Sequence, residues 1–448
     1  MVVNTKEYNM GDVIIDGLTG ANRLVILDAN GKIPALDGSA VTALAGAIFS
    51  TGTIPVARLD TGTTAGKIVK LDGNAKLPAV SGAALTGVVG ATKSASDPTI
   101  STNPSTGLGT EWQNTTSGEV FILTDATAGS NVWTNVGGRS GDVAPYVLQG
   151  SNYGYCAGGY SWNGSIANWT YIDRWSYAST GNAVDVGDLA AEYASGAQQG
   201  PHRAGSASSS THGYVLGGSG GKDDIEKYSF ATATANASKV SDLVVPGENA
   251  AWSNGTYAYV AGWCEPAGNM IQQMAYASDA CTDTTANLDN VWSKHVVTQT
   301  TTYGYVVGGT VGAPATDKIN KWQFATTNDS ADVAVLTFAR RDSGWGSSSL
   351  THGYHAGGTL TAAATKINSI EKHQFSNDGN ATDVGDLGGT WYAFGSNSST
   401  THAYGFGREA ASSTGSNEIH RIAFASDGNS ADVGDLTQVR MWSSGHQF

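Results

Sequence analysis

The C-terminal two thirds of the chain repeat one short pattern, which limits the possible folds more than any other feature. Each copy places a tyrosine between small residues and usually closes with two glycines, as in HGYVLGG at residues 212–218. The tyrosine recurs at intervals of 45 to 59 residues. Its six positions are Tyr155, Tyr214, Tyr259, Tyr305, Tyr354 and Tyr404. A near-constant period of this size is typical of propellers and other repeat arrays.

Each copy continues with a segment in which an isoleucine and an aromatic residue lie five positions apart, such as Ile225 and Phe230. Residues at an odd separation point to opposite faces of a strand, so this strand is apolar on both faces. Such a strand suits a blade packed between two neighbouring blades. We predict four strands per repeat, placed in the fifth copy at 342–348, 353–357, 367–375 and 381–387.

The six copies predict six blades, and residues 439–448 repeat only the first strand of a further copy. We predict that this tail completes the first blade, which begins near Tyr146. Ring closure of this kind removes the exposed sheet edges that an open array would have.

The repeat resembles the kelch repeat of β-propellers, in which an aromatic strand ends in Gly-Gly and an arginine opens the next unit. Arg340 and Arg440 occupy the position of that arginine. The third copy departs from the pattern, with Trp263 in place of the second glycine and Gln273 where the others carry Arg or Lys. The resemblance covers residues 144–448 and implies an all-β fold with a six-bladed kelch-like propeller. It implies no particular function, because one propeller fold hosts many functions.

The N-terminal part carries a different repeat. VILDANGKIPA at residues 25–35 matches VKLDGNAKLPA at 69–79. Its few large side chains offer too little apolar surface for one chain to fold alone. The motif resembles the shaft repeats of bacteriophage fibre proteins, which are homotrimers. The resemblance implies an N-terminal attachment tip at 1–20 and a trimeric fibre shaft of short strands at 21–90, with a flexible linker as the alternative.

Residues 91–143 are predicted to form a small β connector module. Three strands are expected, with Trp112, Phe121 and Trp133 as their aromatic centre. The segment resembles a module that precedes the tips of phage tail fibres. A meander of this size is marginally stable alone, so we expect it to pack against the other chains of a trimer.

Charge and composition exclude several classes of function. A net charge of −14 argues against binding a nucleic-acid backbone. No apolar run approaches the roughly 20 residues of a membrane-spanning helix. The three cysteines lack metal-ligand spacing, and motifs for a nucleophile, a phosphate loop or a metal are absent. We therefore predict no catalytic residues, no enzyme activity, no cofactor and no metal, with calcium at the acidic turns as the alternative to plain hairpin turns.

Five basic residues share one position of the repeat. They are Arg174, Lys227, Lys321, Lys372 and Arg421. A basic ring for an anionic ligand is one interpretation. The favoured one is local pairing of each cation with a nearby aspartate of its own blade.

The resemblances together predict a structural protein of the phage virion. The favoured function is a tail fibre that binds a receptor on the bacterial surface, a glycan before a protein. The N-terminus would attach to tail proteins. A capsid fibre or decoration protein is the first alternative. A polysaccharide-degrading tailspike enzyme is the second, and it would need a pair of carboxylates in a cleft.

The predicted receptor site lies in the loops between the second and third strands of each repeat. These six loops join the same two strands, so they should emerge on one face of the propeller, and they differ in length. The first is the longest and is rich in aromatic residues. The candidate receptor-binding residues are Tyr160, Trp162, Asn163, Asn168, Trp169, Tyr171 and Trp263. For Trp169 and Tyr171, packing against the neighbouring blade is the alternative role.

Overall fold

The computed structural model describes residues 90–448, apart from short gaps. The gaps are 138–142, 144–145, 163–165, 191–200, 232–233, 235, 264–267, 312–313, 343–344, 361–364 and 410–414. Residues 91–448 form one compact unit. The predicted attachment tip and the predicted shaft lie outside the described residues. Among the described residues, no helix is long and apolar enough to cross a membrane.

A small four-stranded sheet comes first along the chain. Its strands are Thr92–Ser94, Glu111–Asn114, Val120–Asp125 and Val132–Asn135. Phe121 and Trp133 are fully buried in its centre, and Trp112 packs against them with its ring centroid 5.8 Å from that of Trp133. The predicted aromatic centre is therefore confirmed. The additional strand Thr92–Ser94 pairs in parallel with the second one.

Six further four-stranded antiparallel sheets follow, one for each copy of the repeat. We number them blades 1 to 6, and in each the inner strand is named first. Blade 1 contains Ser444–Gln447, Tyr153–Ala157, Tyr171–Ser176 and Val184–Asp188; blade 2 contains Gly205–Ser208, His212–Gly218, Lys222–Ser229 and Ser238–Asp242; blade 3 contains Glu248–Ser253, Tyr257–Trp263, Met270–Ala275 and Cys281–Asn287. Blade 4 contains Val296–Gln299, Tyr303–Val307, Thr316–Gln323 and Ala331–Arg340; blade 5 contains Trp345–Ser348, His352–Ala356, Ser369–Gln374 and Thr382–Asp386; blade 6 contains Gly395–Ser398, His402–Phe406, Ser416–Ala423 and Ala431–Arg440.

The inner strands of these six sheets form a closed ring. Each inner strand contacts the inner strand of the next blade, and that of blade 6 contacts the C-terminal strand in blade 1. Strand Ser444–Gln447 pairs antiparallel with Tyr153–Ala157, so the tail completes the first blade as predicted. The predicted bounds are wrong at two points: Val439 and Arg440 still belong to the outer strand of blade 6, and Tyr146, where the first blade was expected to begin, lies outside its four strands. The all-β class and the kelch-like propeller are confirmed. The seventh four-stranded sheet is the small one at 92–135 and lies outside this ring of inner strands.

The hydrophobic core is divided among the boundaries between blades. Tyr259 of blade 3 stacks on Phe324 of blade 4, with ring centroids 4.8 Å apart and planes 8° from parallel. Tyr305 and Phe375 repeat this contact between blades 4 and 5 at 5.1 Å. Burying an aromatic side chain contributes roughly 1.5–3 kcal/mol, so each blade depends on having a neighbour on both faces.

Two fully buried ion pairs also cross blade boundaries. Arg340 pairs with Glu371, and Arg440 pairs with Asp173, and all four side chains are inaccessible to solvent. Each arginine donates to a backbone carbonyl at 3.1 Å as well, and each carboxylate accepts from a backbone N–H at 2.9 or 2.8 Å. Removing one partner of such a pair typically costs 3–5 kcal/mol, because the other charge stays buried. The two kelch-position arginines thus fix neighbouring blades together.

The predicted pairing of repeat cations with aspartates within their own blades is wrong in one respect. Lys227 pairs with Asp279 at 2.9 Å, and Lys321 pairs with Asp378 at 2.9 Å. In both cases the aspartate belongs to the turn after the third strand of the next blade. That turn extends over the boundary between the two blades, so each lysine pairs with an aspartate of the next blade and not with one of its own blade. Lys372 makes the same contact with Asp427.

Two histidines lie in contact inside blade 5. The rings of His355 and His373 are buried, and Nε2 of the first lies 2.7 Å from Nδ1 of the second. Burial lowers the pKa of His373 to about 3, and burial next to a second imidazole holds the pKa of His355 well below its usual range. Both groups are therefore neutral in the folded protein at physiological pH.

We expect removal of residues 444–448 to abolish the single cooperative unfolding transition and to cause aggregation. The truncation opens the ring and exposes the edge of strand Tyr153–Ala157. Thermal unfolding and light scattering check this outcome. Phe448→Ala is the matched control, because it keeps the strand and loses only side-chain packing, including the ring contact to Phe230 at 5.3 Å. A truncated chain with the melting temperature of the full chain would contradict ring closure.

We expect the melting temperature to fall between pH 7 and pH 5, where most carboxylates stay ionised. The folded pKa values of His355 and His373 lie below the unfolded value near 6.5, so the unfolded chain binds more protons as the pH falls. The stability of the neutral pair is thus present above pH 6.5 and is lost below it. The double change His355→Val and His373→Met introduces the residues of blade 3, Val260 and Met274. An equal fall in this variant would falsify the assignment.

Candidate functional site

The two ends of the ring are different. In every blade, the start of the inner strand lies opposite the end of the second strand, as in the pairs Gly205 with Leu216 and Gly395 with Phe406. The loops between the second and third strands therefore lie at the same end as the connections that lead into the inner strands. We call this the loop end. The common placement of the six loops agrees with the expectation from the sequence.

The base of five of the six loops is held by the connection that leads into the same blade, and in blade 3 the ladder between the first two strands continues to Glu248 and Trp263 instead. Tyr160 and Met441 exchange backbone hydrogen bonds of 3.0 and 2.8 Å, and Thr359 and Arg341 exchange bonds of 2.8 and 2.9 Å. Comparable contacts join Glu409 N to Tyr392 O, Ser219 N to His202 O, and strand Trp292–Ser293 to Thr310–Val311. The ring of inner strands encloses a central channel, and the loop bases surround one end of it.

One position at the loop end has an unusual backbone. In blades 2 to 6 this position lies eleven residues before the repeat tyrosine in the sequence. In blade 1 the inner strand comes from the C-terminal tail, so the equivalent residue is in the tail. Its described residues are Arg203, Glu248, Lys294, Ala393 and Trp442, which we call the rim. Four of them have a positive φ of 57° to 68°, although none is a glycine. A left-handed conformation costs a residue with a side chain roughly 1–2 kcal/mol, and such strain is concentrated at functional sites.

The exception in the rim has a local cause. Glu248 belongs to blade 3, where the ladder continues directly from Glu248 to Trp263 without a Gly-Gly pair. In blade 4, for example, Gly308 and Gly309 have φ of 62° and 96° and bend the second strand. The connection that leads into blade 4 follows this bend, and its rim residue Lys294 adopts the left-handed conformation. Blade 3 lacks the bend and therefore lacks the strain.

Four rim residues line a cavity of about 150 Å³ at the loop end of the channel, which we call the mouth cavity; they are Arg203, Glu248, Lys294 and Trp442. Arg203 donates to both oxygens of Glu248 at 3.0 and 3.1 Å, and its guanidinium lies 4.2 Å from the centre of the Trp442 ring. Ser219 also donates to Glu248 at 3.0 Å. The Arg203 side chain is 30% exposed, so this polar cluster is open to solvent. The cavity thus combines a held ion pair with an aromatic ring.

Lys294 and His295 form another part of the lining. Lys294 Nζ lies 3.3 Å from Asp342 Oδ1, and the lysine side chain is 34% exposed. Both ring nitrogens of His295 are inaccessible to solvent and have no hydrogen-bond partner in the protein. Burial lowers the pKa of His295 to about 4, so the ring is neutral and contributes no charge to the cavity wall.

The opposite end of the channel is occupied by residues 146–150, which we call the plug. The Tyr146 hydroxyl donates to Ser208 O at 3.1 Å and also contacts Ser253 Oγ, and burial raises its pKa to about 12. Further hydrogen bonds join the plug to three more blades. They are Gln447 Nε2 to Leu148 O, Gln149 Nε2 to Ser348 O, and Gly150 N to Ser398 O. The chain therefore enters the ring on its axis, at the end away from the mouth cavity.

The predicted receptor-binding residues are only partly described. Tyr160 is half-buried at the base of the first loop, with its ring 4.7 Å from that of His202. Trp169 donates through Nε1 to Val439 O at 3.1 Å, and its ring lies 5.6 Å from that of Tyr171. Trp169 thus contacts the neighbouring blade, which was the alternative role. Three further positions lie in strands but their side chains fall outside the described part: Trp162, Asn168 and Trp263. Asn163 lies wholly outside the described residues.

Reasoning from the sequence missed the rim. Its residues share neither type nor charge, so no motif marks them. Five of the six positions lie at a constant separation of eleven residues before the repeat tyrosine in the sequence, and this separation is the signal that would have found them. Trp442 is separated from Arg203 by 239 residues and joins the rim only because the tail closes blade 1.

Among the described residues, two clusters have the donor types of a metal site. Glu418, His420 and Asp432 form one, and Asp223, Asp224 and Asp242 form the other. Each already contains a protein cation. Arg408 pairs with Glu418, and Lys239 lies between Asp224 and Asp242 at 2.5 and 2.7 Å. These contacts favour structural ion pairs over a metal.

Comparisons with known proteins add little beyond the fold. No protein-family model matches the chain, and no curated protein matches it. Among solved structures, the one titled "Structure of YjhT" is similar, with a TM-score of 0.46 and 9% sequence identity. The match covers 54% of this chain and 86% of that chain. The architecture given above therefore stands on the strand pairing within this chain.

We expect Lys294→Gly to raise the free energy of unfolding by about 0.5 kcal/mol. Glycine removes the left-handed strain at φ 57°, and this outweighs its entropy cost and the loss of a half-exposed ion pair. Lys294→Ala is the matched control, because it also loses the pair but keeps the strain. Denaturant unfolding of both variants measures the difference. Equal stability of the two variants would show that the rim backbone is not strained.

Proposed function

We propose that the chain is a fibre protein of a bacteriophage virion, and that it attaches to a glycan on the bacterial surface through the loop end of its propeller. In this proposal the N-terminal repeat forms a homotrimeric shaft, and the N-terminus joins the fibre to the tail. Attachment to the capsid is the alternative that the same organisation permits.

The polarity of the ring is the observation that carries the proposal. The polypeptide enters through the plug on the channel axis, and the loops and the mouth cavity lie at the opposite end. An adhesive protein needs this arrangement, because the surface that meets the receptor must point away from the part that holds the protein to the particle.

The chemistry of the loop end supports a glycan as the receptor. Half-buried aromatic rings lie beside charged groups there: the Trp442 and Tyr392 ring centroids are 6.0 Å apart, and Lys366 Nζ lies 4.7 Å from the centre of the Tyr392 ring. Aromatic rings offer an apolar surface to the C–H groups of a sugar. Neighbouring polar side chains supply the hydrogen bonds that give such sites specificity.

The resemblance of residues 20–90 to fibre shafts supports the trimer. Light scattering of the full-length protein should give three times the chain mass of 46.0 kDa. A propeller at the end of a trimeric shaft would be present three times, so weak single contacts would add up to firm adhesion.

The direct test is binding of the full-length trimer to an array of purified capsular polysaccharides and O-polysaccharides from many bacteria. We expect at least one of them to bind. We also expect the double change Trp162→Ala and Trp263→Ala to weaken that binding tenfold or more. These residues belong to the first and third loops of the loop end.

Leu350→Thr is the matched control at the plug end. Leu350 is 79% exposed, and the corresponding residues of blades 4 and 6 are Thr301 and Thr400, so the change suits the fold. Binding of this control should equal that of the unchanged protein. Failure to bind any polysaccharide, or unchanged binding by the double variant, would overturn the proposal. Release of new reducing ends from a bound polysaccharide would favour the enzyme alternative instead.

A further inference from the structure

The mouth cavity is a blind hole. Below it lies a second cavity of about 90 Å³, and the two share the residues of a narrow waist. At the waist the inner strands approach closely: a Cβ atom on Gly445 would lie 2.0 Å from Ser396 O, and one on Gly346 would lie 2.4 Å from Val297 O. The second cavity is lined by Tyr146 of the plug. A ligand that enters at the loop end therefore cannot pass through the ring.

Resting on the glycan-binding function proposed above, we infer that the mouth cavity binds the terminal residue of a glycan chain. Pockets that enclose a drug-sized ligand measure roughly 300–1,000 Å³, so a cavity of about 150 Å³ accepts a single sugar ring. An internal residue has a linkage on each side, and both neighbours would have to enter the same blind cavity with it. A chain end has only one linkage, which leaves through the open mouth.

The lining suits a sugar ring with its hydroxyl groups. Arg203 and Lys294 place partly exposed cations in the lining, with side chains 30% and 34% exposed, and both are hydrogen-bond donors for the oxygens of a ligand. Glu248 is held in place by Arg203 and Ser219, so its position is fixed before a ligand arrives. Phe394 and Trp442 supply the apolar part of the wall. This is the pattern of a largely apolar pocket with a few placed polar groups.

The strained rim is consistent with a preformed site. Lys294 and Trp442 both adopt the left-handed conformation, at φ of 57° and 58°, next to the cavity. Holding side chains in place before binding lowers the entropy that is lost when a ligand is bound. Glycine would adopt this backbone without strain but has no side chain. The strained rim positions instead carry the side chains of Lys294 and Trp442 and orient them next to the cavity.

The experiment uses the O-polysaccharide or capsular polysaccharide that the full-length trimer binds, in two forms. One form is intact, and the other is cut by mild acid into fragments of graded length. Each competes with the immobilised intact polysaccharide for the trimer. If chain ends are bound, inhibition per mole of chains stays constant as the chains become shorter, and inhibition per gram rises. If internal residues are bound, inhibition per mole falls in proportion to length, and the inference is wrong.

Variants locate the site. Trp442→Ala introduces the residue found at the same position of blade 6, Ala393, so we expect a nearly unchanged melting temperature and about tenfold weaker binding. Leu350→Thr should bind normally. Normal binding by Trp442→Ala, together with weak binding by the Trp162 and Trp263 double variant, would place the glycan on the loops outside the cavity. The proposed function would then stand and this inference would fail, whereas the absence of any polysaccharide binding would overturn the proposed function itself.

Discussion

Every blade carries apolar side chains on both faces, and only a closed ring gives each face a neighbour. This constraint explains why strand Ser444–Gln447 pairs beside Tyr153–Ala157, although the two strands lie at opposite ends of the repeat array. One pairing joins blade 6 to blade 1 and gives Tyr404 its contact with Tyr177 at 4.9 Å. It also brings Arg440 to Asp173, so a buried charge at each end of the array is neutralised by the other. Backbone hydrogen bonds, aromatic packing and a buried ion pair therefore all stabilise the closed ring at the junction of blades 6 and 1.

The strands of the propeller could be predicted from the sequence because their signals are local and repeated. The predicted strand 367–375 of blade 5 is observed at Ser369–Gln374. The arginine at position 340 was expected to open the next repeat unit, but it ends the outer strand of blade 4 and pairs with Glu371 of blade 5. The partners of charged residues were harder to predict, since they depend on which blade a turn reaches. Lys321 pairs with Asp378 across a blade boundary for that reason. The predicted shaft lies outside the described residues and stays a prediction.

The candidate site shows the same division between local and global information. The sequence predicts that the loops share one end, because that follows from connectivity alone. The rim required the backbone conformation and the closed ring, neither of which leaves a residue motif. Four equivalent positions carry arginine, lysine, alanine and tryptophan on nearly the same left-handed backbone, and the fifth carries Glu248 on an extended one. A symmetric scaffold thus presents an asymmetric surface.

The plug has a mechanical consequence. Force transmitted along the polypeptide from its N-terminal side reaches the ring at residues 146–150, where hydrogen bonds to blades 1, 2, 3, 5 and 6 radiate from the axis. Tension at that point loads these bonds in parallel and pulls on the ring as a whole. A linker that joined the outer strand of one blade would instead peel that strand away one hydrogen bond at a time. Because the lifetime of a protein under load is governed by its unfolding rate, bonds that are loaded in parallel keep the ring folded for longer than bonds that break one after another.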